Sequence, residues 1–227
     1  MKILVINPNT TASMTTKIGA AARAVARPDT EIVAANSQSG PASIQGFLDV
    51  ATCVPGLLEE VARHSDVDAI VVACFDDTGV DAVRSLVSVP VLGIGEAAYH
   101  AASMVATKFS VITTLSRSVP GLESNLMRYG LSQKCAAVRA TDIPVLKLEE
   151  GDPATLAKIK SEIRLAIDED KAEAIVLGCA GMADLMAELS AEFGLPVIDG
   201  VAAGVTFAEA LVNNRLSTSK IGAYSTQ

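Results

Sequence analysis

Short runs of β-branched and other apolar residues alternate along the chain with longer amphipathic stretches. The apolar runs have no polar face, which is typical of strands in a parallel sheet that is covered on both sides. Seven such strands are predicted, at residues 2–7, 30–35, 69–74, 89–94, 108–114, 174–179 and 195–199. The alternation of strand and helix signals predicts an α/β fold with parallel sheets.

Two of the amphipathic stretches carry clear helix signals. Residues 10–26 begin at a threonine, a residue type that caps helix N-termini, and continue with alanine-rich spacing. Residues 153–170 follow Asp152, a good N-cap residue, and Pro153 then occupies the first helical position. Both segments are therefore predicted to be helices between strands.

The chain repeats itself at a nearly constant offset. The strand AIVVAC that ends at Cys74 resembles the strand AIVLGC that ends at Cys179, 105 positions later. The KILVIN segment at Lys2 resembles KFSVIT at Lys108, 106 positions later, and a VPV and an LPV segment share that offset. Unrelated parallel strands can look alike, but the constant offset and the matched cysteines favour two copies of one α/β unit.

Two copies of one unit predict two pseudo-symmetric lobes, each a parallel sheet flanked by helices. Lobe one is expected to hold residues 1–95, and the last helix, near 203–214, is expected to return to it with the rest of 203–227. Lobe two is expected to hold residues 96–202. Ligands of open α/β sheets bind beyond the carboxyl ends of the strands, so the active site is expected in the cleft between the lobes.

Composition narrows the possible partners. The chain has 227 residues, half of them hydrophobic, and a net charge of −8 with no basic run. Aromatic residues make up only 4% and tryptophan is absent, which argues against a nucleic-acid surface. No apolar run approaches the length of a membrane span, and the N-terminal run is too short for a signal peptide. We therefore expect a cytoplasmic protein with a small-molecule ligand and neither nucleic acid nor membrane as a partner.

Cys74 and Cys179 are the residues best placed for chemistry. Each ends a predicted strand and precedes a predicted helix, where the helix dipole and the first N–H groups favour a thiolate. An ordinary thiol has a pKa of about 8.5, so a modest lowering would give a base near neutral pH. The alternative is a pair of buried structural cysteines. Cys53, in a helical stretch, and Cys135, after a turn, are predicted to serve packing.

The sequence offers no cofactor motif. The four cysteines are far apart and form no C-x-x-C pair, so their spacing predicts no metal site. Neither of the glycine-rich phosphate-binding patterns, G-x-G-x-x-G and G-x-x-x-x-G-K-[ST], occurs in the chain. We expect neither a metal nor an organic cofactor, and we expect reduced thiols in a cytoplasmic protein.

Four motifs together resemble the aspartate/glutamate/hydantoin racemase superfamily, and most closely its hydantoin and allantoin racemase branch. They are INPNT at 6–10, GPASIQG at 40–46, CFDDTG at 74–79 and GCAGM at 178–182. The resemblance extends from Ile3 to about Ala208. It implies two lobes around one site, with Cys74 and Cys179 acting from opposite faces of the substrate.

The resemblance also implies a set of substrate-binding residues in the loops after the strands. Their hydroxyl, amide or backbone N–H groups would bind ring atoms and stabilise oxygen as negative charge develops on it. This set is Asn9, Ser43, Thr78, Gly79, Thr114, Ala180 and Gly181. The alternative for Asn9 and Ser43 is a structural role as ordinary turn residues. Asp76 and Asp77 follow Cys74 closely, and at least one is expected to cap the following helix.

The expected reaction is racemisation of 5-substituted hydantoins or allantoin by a thiolate on one face and a thiol on the other. An aspartate or glutamate racemase would use the same two thiols, but no histidine neighbours Cys179, as one commonly does in glutamate racemases. Gln45 departs from the glutamate that hydantoin racemases often carry. A ligand-binding protein that has lost catalysis is a further alternative, which retention of both cysteines disfavours. The family often assembles, so a homo-oligomer is expected.

Overall fold

The apolar runs form two four-stranded parallel sheets in the computed structural model, which describes residues 1–225. The first sheet consists of β1 (Lys2–Asn7), β2 (Glu31–Asn36), β3 (Ala69–Val72) and β4 (Val91–Gly93). The second consists of β5 (Phe109–Thr113), β6 (Cys135–Ala140), β7 (Ala174–Gly178) and β8 (Val197–Asp199).

The two sheets have the same topology. The strand order is β2-β1-β3-β4 in the first and β6-β5-β7-β8 in the second. β1 and β5 therefore occupy equivalent positions, as do β3 and β7, which carry the two matched cysteines at their ends. The predicted α/β fold of two pseudo-symmetric lobes is confirmed.

One strand of the second sheet has no counterpart among the predicted strands. β6 lies at the sheet edge, and its residues are partly exposed. Arg139 in this strand forms ion pairs with Asp170 at 2.6 Å and with Glu169 at 2.7 Å. A partly exposed edge strand with a charged residue lacks the continuous apolar run that marks a central parallel strand, which is why the prediction missed it.

Eight α-helices cover the sheets in the described part of the chain. They are α1 (Ala12–Val25), α2 (Phe47–Ala62), α3 (Val80–Leu86), α4 (Ile94–Val105), α5 (Val119–Arg128), α6 (Pro153–Asp168), α7 (Met186–Phe193) and α8 (Gly200–Asn213). Short 3-10 segments lie at Ser116–Ser118, Val145–Glu150 and Ala180–Leu185. No described helix combines the length and the apolar character needed to cross a membrane.

The two predicted helix starts have different outcomes. Asp152 caps α6 as expected, because its side chain accepts a hydrogen bond from the Ala154 N–H at 3.1 Å, and Pro153 follows it. The expectation that a threonine at position 10 caps α1 was wrong. The N-cap residue is Thr11, and its side chain makes no capping hydrogen bond. Its hydroxyl instead donates to the carbonyl of Ala42 at 2.6 Å.

The lobes share one hydrophobic core. Val5 and Val71 on one face of the first sheet belong to the same buried cluster as Val111 and Val176 on one face of the second. Helix α4 contributes Tyr99, which is fully buried in that cluster. The opposite face of each sheet packs in a separate cluster of its own. Because the inner faces of the two sheets meet through shared helices, the carboxyl ends of β3 and β7 are held in fixed positions relative to each other.

Helix α8 follows the second sheet but packs against the first lobe. It contacts α1, α4 and β3. Its Glu209 side chain is buried and accepts hydrogen bonds from the Arg27 N–H at 2.9 Å and the Thr30 hydroxyl at 2.6 Å. The predicted boundaries, 1–95 with 203–227 and 96–202, stay a proposal, and residues 226–227 lie outside the described residues.

Replacing Glu209 with alanine should destabilise the fold by about 1–3 kcal/mol, because it removes both hydrogen bonds to a buried carboxylate. Urea denaturation followed by circular dichroism measures this loss. Glu188→Ala is the matched control, since Glu188 pairs with Lys160 at 2.7 Å in a half-exposed position and its loss should matter much less. Equal destabilisation by the two substitutions would refute the role given to Glu209.

Candidate active site

The two matched cysteines line one cavity at the carboxyl ends of equivalent strands. Cys74 lies two residues beyond β3, and Cys179 directly follows β7. The cavity has a volume of about 430 Å³ including its open mouth. Both lobes contribute to its lining, which consists of Asn9, Met14, Ile44, Ala73, Cys74, Phe75, Asp76, Thr113, Thr114, Ser118, Val145, Gly178, Cys179 and Ala180. The structure therefore brings the two thiols to a single cavity.

The surroundings of Cys74 differ from the expectation of a helix N-terminus. Helix α3 begins only at Val80, after a loop of two turns. Protein atoms surround the Cys74 thiol densely, and this burial, reinforced by the nearby carboxylate of Asp76, raises its pKa well above the usual value. The Thr78 hydroxyl lies 3.8 Å from the Cys74 sulfur. The expected lowering of the Cys74 pKa was wrong, because burial outweighs the distant helix dipole.

Cys179 occupies the expected junction. It is the residue before the 3-10 segment Ala180–Leu185, whose first N–H groups have no acceptor within the segment. Gly178 before it packs closely on β5, since a Cβ at that position would lie 2.9 Å from the carbonyl oxygen of Ile112. The absence of that side chain lets the end of β7 lie directly beside β5. Cys179 is therefore presented to the cavity at the end of a tightly packed central strand.

Asp76 is a cavity residue that the sequence did not identify as one. Burial raises the pKa of its carboxyl to about 6. Within the described residues its side-chain oxygens accept no hydrogen bond, while its carbonyl accepts one from the Asn125 amide at 2.8 Å. Its position two residues after Cys74 was the available signal, but closeness in sequence alone does not show which way a side chain points.

Asp77 caps a helix, but not the one that follows it. Its carboxylate accepts hydrogen bonds from the N–H groups of Gly95 at 2.9 Å and Glu96 at 2.7 Å, in the first turn of α4. The Tyr129 hydroxyl donates to the same carboxylate at 2.8 Å. A Cβ on Gly93 would lie 2.0 Å from this carboxylate, so a glycine is required there. The expectation that an aspartate caps the following helix α3 is corrected accordingly.

Asn9 and Thr114 offer hydrogen-bonding groups from opposite lobes. The amide oxygen of Asn9 already accepts from Asn7 and from the Thr11 N–H, each at 2.9 Å, whereas its amide nitrogen donates to the Met14 sulfur at 3.3 Å. Sulfur is a weak acceptor, so a ligand carbonyl would compete well for this donor. The hydroxyl of Thr114 makes no hydrogen bond within the described residues. Both side chains are buried and line the cavity.

Four of the predicted binding residues lie outside the cavity lining. The Ser43 hydroxyl accepts a hydrogen bond from Gln45 at 2.8 Å, and Thr78 contacts the Cys74 sulfur. Gly79 has a left-handed φ of 75° and a Cβ there would lie 2.6 Å from Leu57, so it packs toward the core. A Cβ on Gly181 would lie 3.6 Å from the Cys179 sulfur. Ser43 and Gly79 are thus placed for structural roles, while Thr78 and Gly181 sit beside the thiols.

The described residues contain no group of three or more histidine, cysteine or carboxylate side chains that could hold a metal ion. All four cysteines are thiols. Cys53 is fully buried in α2, and Cys135 begins β6, so neither reaches the cavity.

Comparison with known proteins gives a consistent family. Residues 3–208 match the family described as Asp/Glu/Hydantoin racemase. A hydantoin racemase from Rhizobium meliloti is 47% identical, covering 99% of this chain and 94% of the relative. One from Pseudomonas sp. (strain NS671) is 45% identical, covering 99% and 91%. The structure of an allantoin racemase from Klebsiella pneumoniae superposes with a TM-score of 0.97 at 47% identity, covering 100% of this chain and 94% of that one.

The fold consists of two pseudo-symmetric α/β lobes around one cavity, and the relatives identify the protein as a racemase. This chain belongs to the Asp/Glu/hydantoin racemase family.

Replacing Asp76 with asparagine should lower the pKa of Cys74, because it removes the negative charge that opposes thiolate formation. The rate of Cys74 alkylation by iodoacetamide, followed site by site with mass spectrometry, should therefore reach half its maximum at a lower pH than in the wild type. Asp168→Asn, an exposed position on α6, is the control and should leave this midpoint unchanged. A midpoint for Asp76→Asn equal to or above the wild-type value would contradict the electrostatic role of Asp76.

Proposed function

We propose that this racemase inverts the C5 stereocentre of 5-substituted hydantoins by proton transfer between two thiols. The observation that carries the proposal is the placement of Cys74 and Cys179 in one cavity, at the ends of strands related by the internal repeat. Relatives at 45% and 47% identity over nearly the whole chain are named hydantoin racemases, which supports the substrate class.

The proposed step uses one thiolate and one thiol. The thiolate removes the proton from C5, and the electron pair of the C–H bond delocalises onto the neighbouring C4 carbonyl oxygen. The thiol on the opposite face then gives its proton to C5, which inverts the centre and leaves the thiolate on the other cysteine. Atoms and charge balance without a cofactor. Burial and Asp76 favour the protonated form of Cys74 in the ligand-free enzyme.

The negative charge that develops on the carbonyl oxygen needs hydrogen-bond donors in place before the reaction. Three groups that line the cavity suit this role: the amide nitrogen of Asn9, the hydroxyl of Thr114 and the backbone N–H of Ala180. Thr78 and Gly181 would act through the thiols that they adjoin. Because these donors are buried or fixed by the backbone, little reorganisation would accompany charge development.

Asp76 favours a hydantoin over an acidic amino acid. Its carboxylate is buried at the cavity wall, and its oxygens accept no hydrogen bond within the described residues. A hydantoin ring carries N–H groups that can donate hydrogen bonds to such a carboxylate. Aspartate or glutamate would bring its own carboxylates beside Asp76, and like charges at close range in a poorly solvated site repel strongly.

The remaining expectations complete the proposal. We propose that the enzyme needs no metal or organic cofactor, works as a homo-oligomer and resides in the cytoplasm.

Single cysteine variants test the assignment of the two faces. Cys74→Ser and Cys179→Ser should each abolish racemisation of a 5-substituted hydantoin, because a serine hydroxyl is a far poorer acid and base than a thiol. In deuterated water each variant should still exchange the C5 hydrogen of one enantiomer without inversion, and the two variants should exchange opposite enantiomers. Chiral chromatography coupled to mass spectrometry measures both events.

Cys135→Ser is the matched control, since this cysteine lies in β6 away from the cavity, and it should racemise at the wild-type rate. Exchange of the same enantiomer by both active-site variants would exclude opposite faces. Wild-type racemisation by either variant would exclude the two-thiol mechanism.

A further inference from the structure

Asn7, the last residue of β1, is a buried polar residue that the proposed reaction leaves without a role. Its side chain is fully enclosed and does not line the cavity that contains the two thiols. It belongs to the INPNT segment, from which Asn9 does reach that cavity. Because a buried amide needs partners for its polar atoms, the partners of Asn7 show what the residue does.

Asn7 holds Asn9 at two points. The side-chain nitrogen of Asn7 donates to the side-chain oxygen of Asn9 at 2.9 Å, and the side-chain oxygen of Asn7 accepts from the Asn9 N–H at 3.2 Å. The same nitrogen also donates to the Thr15 hydroxyl at 3.1 Å and to the Thr11 carbonyl at 3.4 Å, which ties Asn7 to α1. One side chain thus fixes both the backbone and the side chain of Asn9.

These contacts decide which end of the Asn9 amide is available to a ligand. Its oxygen accepts from the Asn7 amide and from the Thr11 N–H. Asn7 cannot reverse its own amide without losing the hydrogen bond from the Asn9 N–H. The Asn9 nitrogen is left with the Met14 sulfur, a weak acceptor in the cavity wall. Asn9 is therefore presented to the cavity as a donor.

The second lobe uses the equivalent position differently. The residue 106 positions after Asn7 is Thr113, the last residue of β5. Its hydroxyl donates to the Gly178 carbonyl at 3.1 Å and joins β5 to β7. In the part of the chain that the structure describes, the Asn7 side chain makes no such bond to β3. A threonine satisfies this strand end in one lobe, whereas the asparagine in the other serves the loop that carries Asn9.

From these contacts we infer that Asn7 is a positioning residue, which orients the Asn9 amide so that its nitrogen meets the oxygen on which negative charge develops. The inference rests on the proposed hydantoin racemase function and adds the residue that keeps its donor in place. A donor that is already oriented stabilises the developing charge without reorganisation. An Asn9 amide that turned round would bring its oxygen against that charge and repel it.

Asn7→Asp removes the donor of one contact with little change of shape. The carboxylate can still accept from the Asn9 N–H, but it repels the Asn9 side-chain oxygen. Polarimetry on a 5-substituted hydantoin should show kcat reduced at least about tenfold, and Asn9→Ala should reduce kcat about a hundredfold, as loss of a donor to a developing oxyanion does. The double variant should lie within about twofold of Asn9→Ala, because no amide is left to orient.

Asn36→Asp is the matched control. Asn36 accepts from the Thr15 hydroxyl at 3.3 Å in the same hydrogen-bond network, but it neither contacts Asn9 nor lines the cavity, so kcat should stay within about twofold of wild type. Asn7→Thr is the second variant. It introduces no charge and should fold, since the second lobe has threonine at the equivalent position, and it should also lower kcat only while Asn9 is present.

Losses from Asn7→Asp and Asn9→Ala that multiply in the double variant would mean that Asn7 supports the fold and not Asn9, and would overturn the inference. Wild-type kcat in both Asn7 variants or in Asn9→Ala would overturn it too, as would a loss in Asn36→Asp equal to that in Asn7→Asp. A wild-type enzyme that racemises no 5-substituted hydantoin would refute the proposed function itself, and this inference with it.

Discussion

The buried carboxylate of Asp77 connects the loop that carries Cys74 to both lobes. It accepts hydrogen bonds from two N–H groups at the start of α4 and from the Tyr129 hydroxyl at the end of α5. The Asp77 N–H donates to the Cys74 carbonyl at 3.0 Å and closes the turn between them. Asp77 has a left-handed φ of 53°, which is unfavourable for an aspartate unless the surroundings hold it. The three hydrogen bonds to its carboxyl group provide that support.

The internal repeat shows why the N-terminus of α4 is capped by Asp77. In the second lobe Asp199 caps the corresponding helix, α8, by accepting hydrogen bonds from Val201 and Ala202. In the first lobe the equivalent position is Gly93, which has no side chain, and the carboxylate of Asp77 occupies the space instead. The same helix end is therefore capped from within its own strand in one lobe and from the cysteine loop in the other. The cap in the first lobe has become a means of fixing the position of Cys74.

Local pattern was enough to predict the α/β fold, the seven apolar strands and the placement of both cysteines at strand ends, because buried parallel strands and sequence repeats leave a signal along the chain. Strand β6 was not predicted, because its partial exposure removes that signal. The raised pKa of Cys74 could not be predicted from the sequence, because burial and the direction of the Asp76 side chain depend on how distant segments pack.

The central claim is that two thiols act on one carbon from opposite faces, and hydrogen exchange in the wild-type enzyme tests it most directly. A single enantiomer of a 5-substituted hydantoin is incubated with the enzyme in deuterated water. At low conversion the two enantiomers are separated, and the deuterium content of each is measured by mass spectrometry. If one thiol removes the proton and the other supplies a new one from solvent, the product should be almost fully deuterated while the remaining substrate carries almost no deuterium above the uncatalysed background. Equal deuterium in the two enantiomers from the earliest times would mean that one group serves both faces, and would contradict the account.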